Sequence, residues 1–197
     1  MKTLLLMRNA KSSWKDQKLV DINRPLNKHG QHMASMVGKL LIEKELVPQL
    51  IISSSAVRAR QTAELVAAGA GYTGEIQYLS SLYMAEPSAY LGVLSATSDE
   101  YERVLVVGHN PGLEALLQIL SRRIIALRSA SVAFVSLPLR FWRDLNGDVE
   151  GELIEFIAVV EEKQVVTKEK ATGKMKSKGN EKKAEMEEKK SEKKSKS

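Results

Sequence analysis

Cysteine is absent from the 197 residues of the sequence. Disulfide bonds, zinc sites built on thiolates and a cysteine nucleophile are therefore excluded. Long apolar runs are absent too, and the run at residues 4–7 is too short for the core of a signal peptide. No run reaches the roughly 20 apolar residues that a membrane-spanning helix needs. We predict a cytoplasmic protein without a membrane partner.

The positive charge of the chain is concentrated at its carboxyl end. The formal net charge is +6, and residues 161–197 contribute +5 of it through 13 lysines and 8 glutamates. Residues 1–160 are nearly neutral, which gives no support to specific nucleic-acid binding. Residues 161–197 contain too few apolar side chains to offset their chain entropy by burial. We predict one domain over 1–160 and a disordered Lys/Glu-rich tail over 161–197.

Apolar runs alternate with helical patterns along residues 1–160. Six runs are predicted as strands, over 3–7, 50–53, 76–79, 103–108, 131–137 and 152–160. Four segments are predicted as helices, over 26–45, 56–68, 88–96 and 112–120. Asn27 is the predicted cap of the first helix. This alternation predicts an α/β three-layer sandwich with a mostly parallel central sheet.

Polar residues follow three of the predicted strands. Arg8 and Asn9 follow the first strand, Arg58 comes shortly after the second, and His109 and Asn110 follow the fourth. The carboxyl ends of parallel strands share one edge of a sheet, and ligands bind there. We therefore expect these side chains to converge. Asn110 has an alternative interpretation as the cap of the helix that starts near residue 112.

An anion is the ligand that this convergence predicts. Arg24 would join Arg8 and Arg58, and three guanidinium groups at one place repel each other unless a negative charge lies between them. The guanidinium fork matches phosphate oxygens and stays charged at any working pH. The amino ends of two predicted helices add backbone donors. Arg24 has an alternative interpretation as the salt-bridge partner of Asp16 or Asp21.

Four segments carry these polar residues, and in chain order they read LLLMRNAKSSW, DINRPLNKHG, SSSAVRARQTAELV and VLVVGHNPGLEAL. Together they resemble motifs of the histidine phosphatase superfamily, and most closely its branch of SixA-type phosphohistidine phosphatases. The resemblance covers residues 1 to about 160. It implies a phosphoglycerate-mutase-like fold and hydrolysis of phosphohistidine or other phosphoesters through a phosphohistidine intermediate. The implied partner is a phosphorylated protein or a small phosphoester.

The resemblance also implies roles for individual residues. Arg8 and Arg58 match the two arginines that hold the phosphoryl oxygens, His109 matches a second histidine beside them, and Arg24 matches a further arginine on the phosphate side. Asn110 is included among the predicted phosphate-binding residues. No metal and no other cofactor is implied, because the arginines neutralise the developing charge.

Asn9 departs from the family pattern. The family has a nucleophilic histidine directly after the first arginine, whereas this chain reads Arg8-Asn9-Ala10. An amide nitrogen is a very poor nucleophile and does not exchange a proton near neutral pH as imidazole does. The resemblance therefore predicts a phosphatase whose activity is impaired by Asn9. Glu86 is a candidate general acid, with a solvated loop carboxylate as the alternative.

Three functions stay open on the sequence alone. The first is the impaired hydrolase, and the second is a phosphate-binding pseudoenzyme that recognises a phosphorylated protein or metabolite without turnover. The third is an interaction protein that works through its tail. Retention of three arginines argues against the third. The serines at 53–55 lack the Gly-x-Ser-x-Gly elbow of an acyl-transfer enzyme.

Overall fold

The structure, a computed structural model, describes residues 1–159 and the backbone of residues 165–168. Its strands are β1 Lys2–Arg8, β2 Leu50–Ser54, β3 Ile76–Leu79, β4 Arg103–Gly108, β5 Val132–Leu137, β6 Glu152–Val159 and β7 Val165–Lys168. Its α-helices are α1 Lys28–Glu43, α2 Val57–Gly69, α3 Pro87–Ser95 and α4 Gly112–Ser121. Short 3-10 helices lie at Asp21–Asn23, Ser80–Leu82 and Trp142–Asp144.

The strands form one sheet in the order β3-β2-β4-β1-β5-β6-β7. The first four strands in this order pair in parallel, whereas β5 runs antiparallel to both β1 and β6. Helices α1 and α2 pack on one face of the sheet, and α3 and α4 pack on the other. The predicted three-layer α/β sandwich with a mostly parallel sheet is confirmed.

Burial on both faces explains why β1 reads as a continuous apolar run. Leu4 and Leu6 point into the core beneath α3 and α4, whereas Leu5 and Met7 point into the core beneath α1 and α2. All four side chains are fully buried. A strand at the centre of a parallel sheet has no solvent-facing side, so it shows no alternation of apolar and polar residues.

Helix α1 shows how local sequence signals set the element boundaries. The side chain of Asn27 accepts a hydrogen bond of 2.7 Å from the backbone N–H of Gly30, which confirms the predicted cap. The helix begins at Lys28 rather than at 26, because Asn27 has extended backbone dihedral angles and Leu26 pairs with Ser12 in an isolated β-bridge. Among the described residues, no helix has the length and apolar character needed to cross a membrane.

Strand β7 lies inside the segment predicted as a disordered tail. Val165–Lys168 pairs antiparallel with β6 at the edge of the sheet. Its first three residues are Val165, Val166 and Thr167, and β-branched residues favour extended backbone. The other residues of the predicted tail lie outside the described part of the chain, so the boundary at 160 stays a prediction.

Candidate functional site

A cavity of about 310 Å³ opens at the carboxyl ends of the central strands. We call it the cationic cavity, because four of its lining residues are Lys or Arg and none is acidic. Its lining consists of Arg8, Asn9, Ala10, Lys11, Ser12, Trp14, Arg24, Arg58, Met84, His109, Asn110 and Ser129. Such a lining attracts an anion.

The register of two neighbouring strands brings Asn9 and His109 together. Arg8 of β1 is opposite Gly108 of β4 in the parallel ladder. The backbone N–H of Asn9 continues this ladder by donating to the carbonyl of Gly108 across 3.0 Å. Each strand ends at this point, so the next residue of each strand turns into the cavity. The two side chains therefore meet at its floor.

Hydrogen bonds determine which nitrogen of His109 carries the proton. Nδ2 of Asn9 donates to the carbonyl of Ala10 across 2.9 Å, so Oδ1 is the atom that faces His109. Because this oxygen can only accept, Nδ1 of His109 must donate to it, across 3.0 Å. Nε2 lies 2.8 Å from Oγ of Ser54 and accepts a hydrogen bond from this hydroxyl. The oxygen of Ser54 in turn accepts from the backbone N–H of Ala56.

His109 is neutral at physiological pH. Burial above all, together with the positive charges of Arg58 and Arg8, lowers the pKa of its imidazole to about 4, against an opposite effect of Asp21 that is weaker than that of Arg58. The neutral ring agrees with the tautomer required by Asn9 and Ser54. The ring of Tyr83 meets the imidazole edge-on, with 5.7 Å between centroids. The positive charge of the cavity therefore comes from its arginines and from Lys11.

Asp21 is the counterion of two cavity arginines. Arg58 donates to the backbone carbonyl of Asp21 across 2.7 Å and to its Oδ2 across 2.9 Å. Arg24 donates to Oδ1 across 2.7 Å, and the hydroxyl of Tyr83 donates to Oδ2 across 2.8 Å. Burial alone would raise the pKa of the Asp21 carboxyl, but the hydrogen bond from Tyr83 and the two arginines outweigh burial and lower it.

Arg24 forms the salt bridge of its alternative interpretation, with Asp21 rather than with Asp16. It also lines the cavity, and its role in phosphate binding stays a prediction. Its Nε donates to the carbonyl of Ser13 across 3.2 Å, and a further nitrogen donates to the hydroxyl of Ser12. These bonds hold the guanidinium group of Arg24 in place, although the residues around Arg24 form little regular secondary structure.

Arg8 and Asn110 both donate hydrogen bonds to the same backbone carbonyl. Both side chains donate to the carbonyl of Leu127, across 2.9 Å and 3.0 Å respectively. The alternative in which Asn110 caps α4 is wrong, because that helix has no side-chain cap and the amide nitrogen reaches Leu127 instead. The carboxylate of Glu114 accepts from the backbone N–H of Leu127 and holds this loop in place.

Glu86 does not reach the cavity. It is exposed at the N-cap position of α3, makes no capping hydrogen bond and is absent from the cavity lining. The general-acid hypothesis therefore has no support in this arrangement, which agrees with the alternative of a solvated carboxylate. In the part of the chain that the structure describes, no cluster of three or more His, Asp or Glu residues could hold a metal ion.

Three residues beside the cavity make contacts that the sequence did not predict, apart from the salt bridge between Asp21 and Arg24. They are Asp21, Ser54 and Tyr83, which contact the arginines or His109 from behind. Ser54 is the last residue of β2 and is fully buried. Its position at a strand end was a usable signal, because the neighbouring strands deliver Arg8 and His109 at the same edge.

A family model for the histidine phosphatase superfamily, branch 1, matches residues 4–83. An uncharacterised chloroplastic protein of Arabidopsis thaliana is 31% identical over 150 residues, which cover 72% of this chain and 69% of that protein. The chain belongs to the histidine phosphatase superfamily. The matched range of the family model contains Arg8, Asn9, Arg24 and Arg58, whereas His109 lies beyond it.

Solved structures of SixA proteins resemble this superfamily member in fold. A candidate phosphohistidine phosphatase SixA from Agrobacterium tumefaciens is 27% identical with a TM-score of 0.69, covering 80% of this chain and 98% of that one. The protein histidine phosphatase SixA complexed with tungstate is 20% identical with a TM-score of 0.66, covering 76% and 94%. The phosphoglycerate-mutase-like fold is therefore confirmed.

Proposed function

We propose that this histidine phosphatase superfamily member binds the phosphoryl group of a phosphorylated protein or small phosphoester in the cationic cavity, and that Asn9 impairs its hydrolysis. One observation carries the proposal. Asn9 lies in a cavity that is also lined by Arg8, Arg24 and Arg58, and it is hydrogen-bonded to His109. Binding and turnover are therefore expected to be separated in this protein.

The charge of the cavity lining supports binding. Arg8, Arg24 and Arg58 line the cavity together with Lys11, and no carboxylate lines it. Charge-assisted hydrogen bonds from guanidinium groups to phosphate oxygens are about twice as strong as neutral ones. Asp21 holds Arg24 and Arg58 from outside the cavity lining. A tetrahedral dianion is thus the ligand that the cavity suits best.

The hydrogen-bond pattern argues against turnover. Attack on phosphorus needs a lone pair that can form a new bond to phosphorus while the bond to the leaving group breaks. The Nδ2 lone pair of Asn9 is delocalised, and this nitrogen donates to Ala10. In His109, Nδ1 carries a proton and the Nε2 lone pair points at the buried hydroxyl of Ser54. Neither side chain offers a nucleophilic lone pair to the cavity.

The test is to measure binding and turnover on the same preparation. Isothermal calorimetry with tungstate and with inorganic phosphate is expected to show binding in the cavity. Incubation with phosphohistidine and with an aryl phosphate is expected to release little or no inorganic phosphate. Absence of any oxyanion binding would contradict the phosphate-site proposal. Rapid turnover by the chain with Asn9 would contradict the proposed impairment.

The rate of phosphate release also distinguishes an impaired hydrolase from a pseudoenzyme. A slow but reproducible release of phosphate would identify an impaired hydrolase, and binding without release would identify a pseudoenzyme. The tungstate complex of a SixA protein supports tungstate as the first probe. The cytoplasmic location and the absence of a cofactor stay predictions.

A further inference from the structure

Trp14 is an exposed aromatic residue at the mouth of the cationic cavity. It lines the cavity, yet 72% of its surface is accessible. Trp142, in contrast, is fully buried, and its indole N–H donates to the carbonyl of Tyr101 across 2.7 Å. A large aromatic side chain left in water gives up the stabilisation that burial would provide. Its position beside the arginines therefore points to a ligand that covers it.

One face of the Trp14 indole is already occupied. The guanidinium carbon of Arg24 lies 3.2 Å from the ring centroid, which is a cation–π contact. Arg24 is itself buried and fixed by Asp21 and by the carbonyl of Ser13. The indole thus rests on a fixed cation, and most of its surface stays accessible. A flat aromatic ring therefore lines the same cavity as the arginines.

Met84 supplies a second exposed apolar side chain to the same cavity. Its surface is 54% accessible, and its backbone has a positive φ of 50°. Residues other than glycine, asparagine or aspartate adopt this conformation rarely and at an energetic cost. The adjacent residue, Tyr83, contacts both Asp21 and the ring of His109. The thioether of methionine makes favourable contacts with aromatic rings.

We propose that Trp14 and Met84 select phosphoryl groups that are attached to a flat aromatic or heteroaromatic ring. The inference rests on the proposed function, because the phosphoryl group must first bind to the arginines at the cavity floor. Its substituent then lies at the mouth, where the free face of the indole stacks against a ring. An aliphatic substituent of similar size would lack the favourable stacking geometry. The ring belongs either to a side chain of a phosphorylated protein or to a small ester.

The test compares phenyl phosphate with cyclohexyl phosphate, which have equal charge and equal numbers of carbon atoms but differ in flatness. Affinities are measured by calorimetry and by quenching of tryptophan fluorescence. Because Trp142 is fully buried, quenching by a ligand in the cavity reports on Trp14. We expect phenyl phosphate to bind roughly three- to tenfold more tightly than cyclohexyl phosphate, as aromatic stacking predicts.

Two variants test whether the Trp14 indole causes the preference for phenyl phosphate. Trp14→Phe keeps a ring and is expected to keep most of the preference, whereas Trp14→Leu is expected to abolish it. Each affinity is divided by the affinity of the same variant for inorganic phosphate, so that an effect transmitted through Arg24 cancels. An unchanged phenyl-to-cyclohexyl ratio in Trp14→Leu, or a ratio near one in the parent, would overturn the inference.

Failure of this inference is distinguishable from failure of the proposed function. If the parent binds inorganic phosphate without any ring preference, only the role of Trp14 and Met84 is refuted. If it binds no oxyanion, the phosphate site itself is refuted. A phosphotyrosine peptide distinguishes the two sources of the ring. Tighter binding than phenyl phosphate indicates a protein ligand, equal binding indicates a small ester, and both results support ring selection.

Discussion

His109 donates a hydrogen bond from Nδ1 to the side-chain oxygen of Asn9 across 3.0 Å. This bond joins the two residues that follow the adjacent strands β1 and β4. In this bond the side chain at position 9 of the cationic cavity acts as a hydrogen-bond acceptor and not as a nucleophile. Restoring an imidazole at this position is the most direct test of what Asn9 removes.

The Asn9→His variant is expected to gain phosphatase activity. An imidazole at position 9 has a nitrogen lone pair available at neutral pH, and the arginines proposed to bind the phosphoryl group line the cavity beside it. We expect acid-labile, base-stable phosphate on the protein and an increase of several orders of magnitude in phosphate release from phosphohistidine. Asn9→Gln is the control, because it changes the side chain without adding a nucleophile. Equal turnover by the parent and the histidine variant would show that another group attacks phosphorus.

Arg8→Ala is expected to weaken oxyanion binding. Loss of one charge-assisted hydrogen bond to the ligand costs about 1.5–3 kcal/mol of binding free energy. The matched control is Arg140→Ala, which removes an equal charge from an exposed residue outside the cavity lining. Calorimetry with phosphate and tungstate measures both variants. If the two variants lose the same small amount of affinity, Arg8 contributes only to the long-range field.

Asp21→Asn is expected to change how stability depends on pH. The folded pKa of Asp21 lies below its ordinary value of 3.8, so its carboxylate contributes stability above that pH. This contribution is lost as the pH falls through the folded pKa. The parent should therefore exceed the variant in unfolding free energy at neutral pH, and the difference should shrink below about pH 4.

Denaturant unfolding at several pH values measures this difference. Asp16→Asn is a suitable control, since Asp16 is exposed in the same loop and accepts only a backbone hydrogen bond in the described structure. A difference between parent and Asp21→Asn that persists unchanged at about pH 2 would mean that the charge of Asp21 is not the cause. The salt bridges to Arg24 and Arg58 would then be energetically neutral.

His109 is expected to stay neutral through the physiological range. Burial and the nearby arginines lower its pKa to about 4. In proton NMR spectra, the imidazole resonance that disappears in His109→Gln should therefore keep its chemical shift between about pH 8 and 5.5. Titration of this resonance near the ordinary histidine pKa of about 6.5 would contradict the neutral tautomer bonded to Asn9 and Ser54.

Two truncated chains are expected to show that β7 contributes to stability and that residues 169–197 do not. A chain that ends at Lys168 should match the full chain in melting temperature and in phosphate affinity, because residues 169–197 carry few apolar side chains. A chain that ends at Glu162 also loses the strand that pairs with β6, so its melting temperature should be lower. A large loss on removing 169–197 alone would show that these residues pack on the domain.

The sequence by itself determined the layers of the fold and the main residues of the cavity. Apolar periodicity and local signals such as the Asn27 cap depend on neighbours within a few residues, so they can be interpreted without coordinates. Arg8 and His109 each follow a buried strand, and parallel strands place their carboxyl ends at one edge. The departure at Asn9 was also visible, since it concerns the type of residue within a recognisable motif.

Only the tertiary structure decided how these residues are paired. Asp21 binds Arg58 across 37 residues of chain, and Ser54 reaches His109 across 55. Asn110 donates to Leu127 rather than capping its own helix, and Glu86 faces solvent. Such pairings depend on loop paths and side-chain rotamers, which are set by packing between distant segments. The periodicity of apolar residues indicates which side chains are buried. It does not indicate the path of a loop, the rotamer of a side chain or the residue that a side chain contacts.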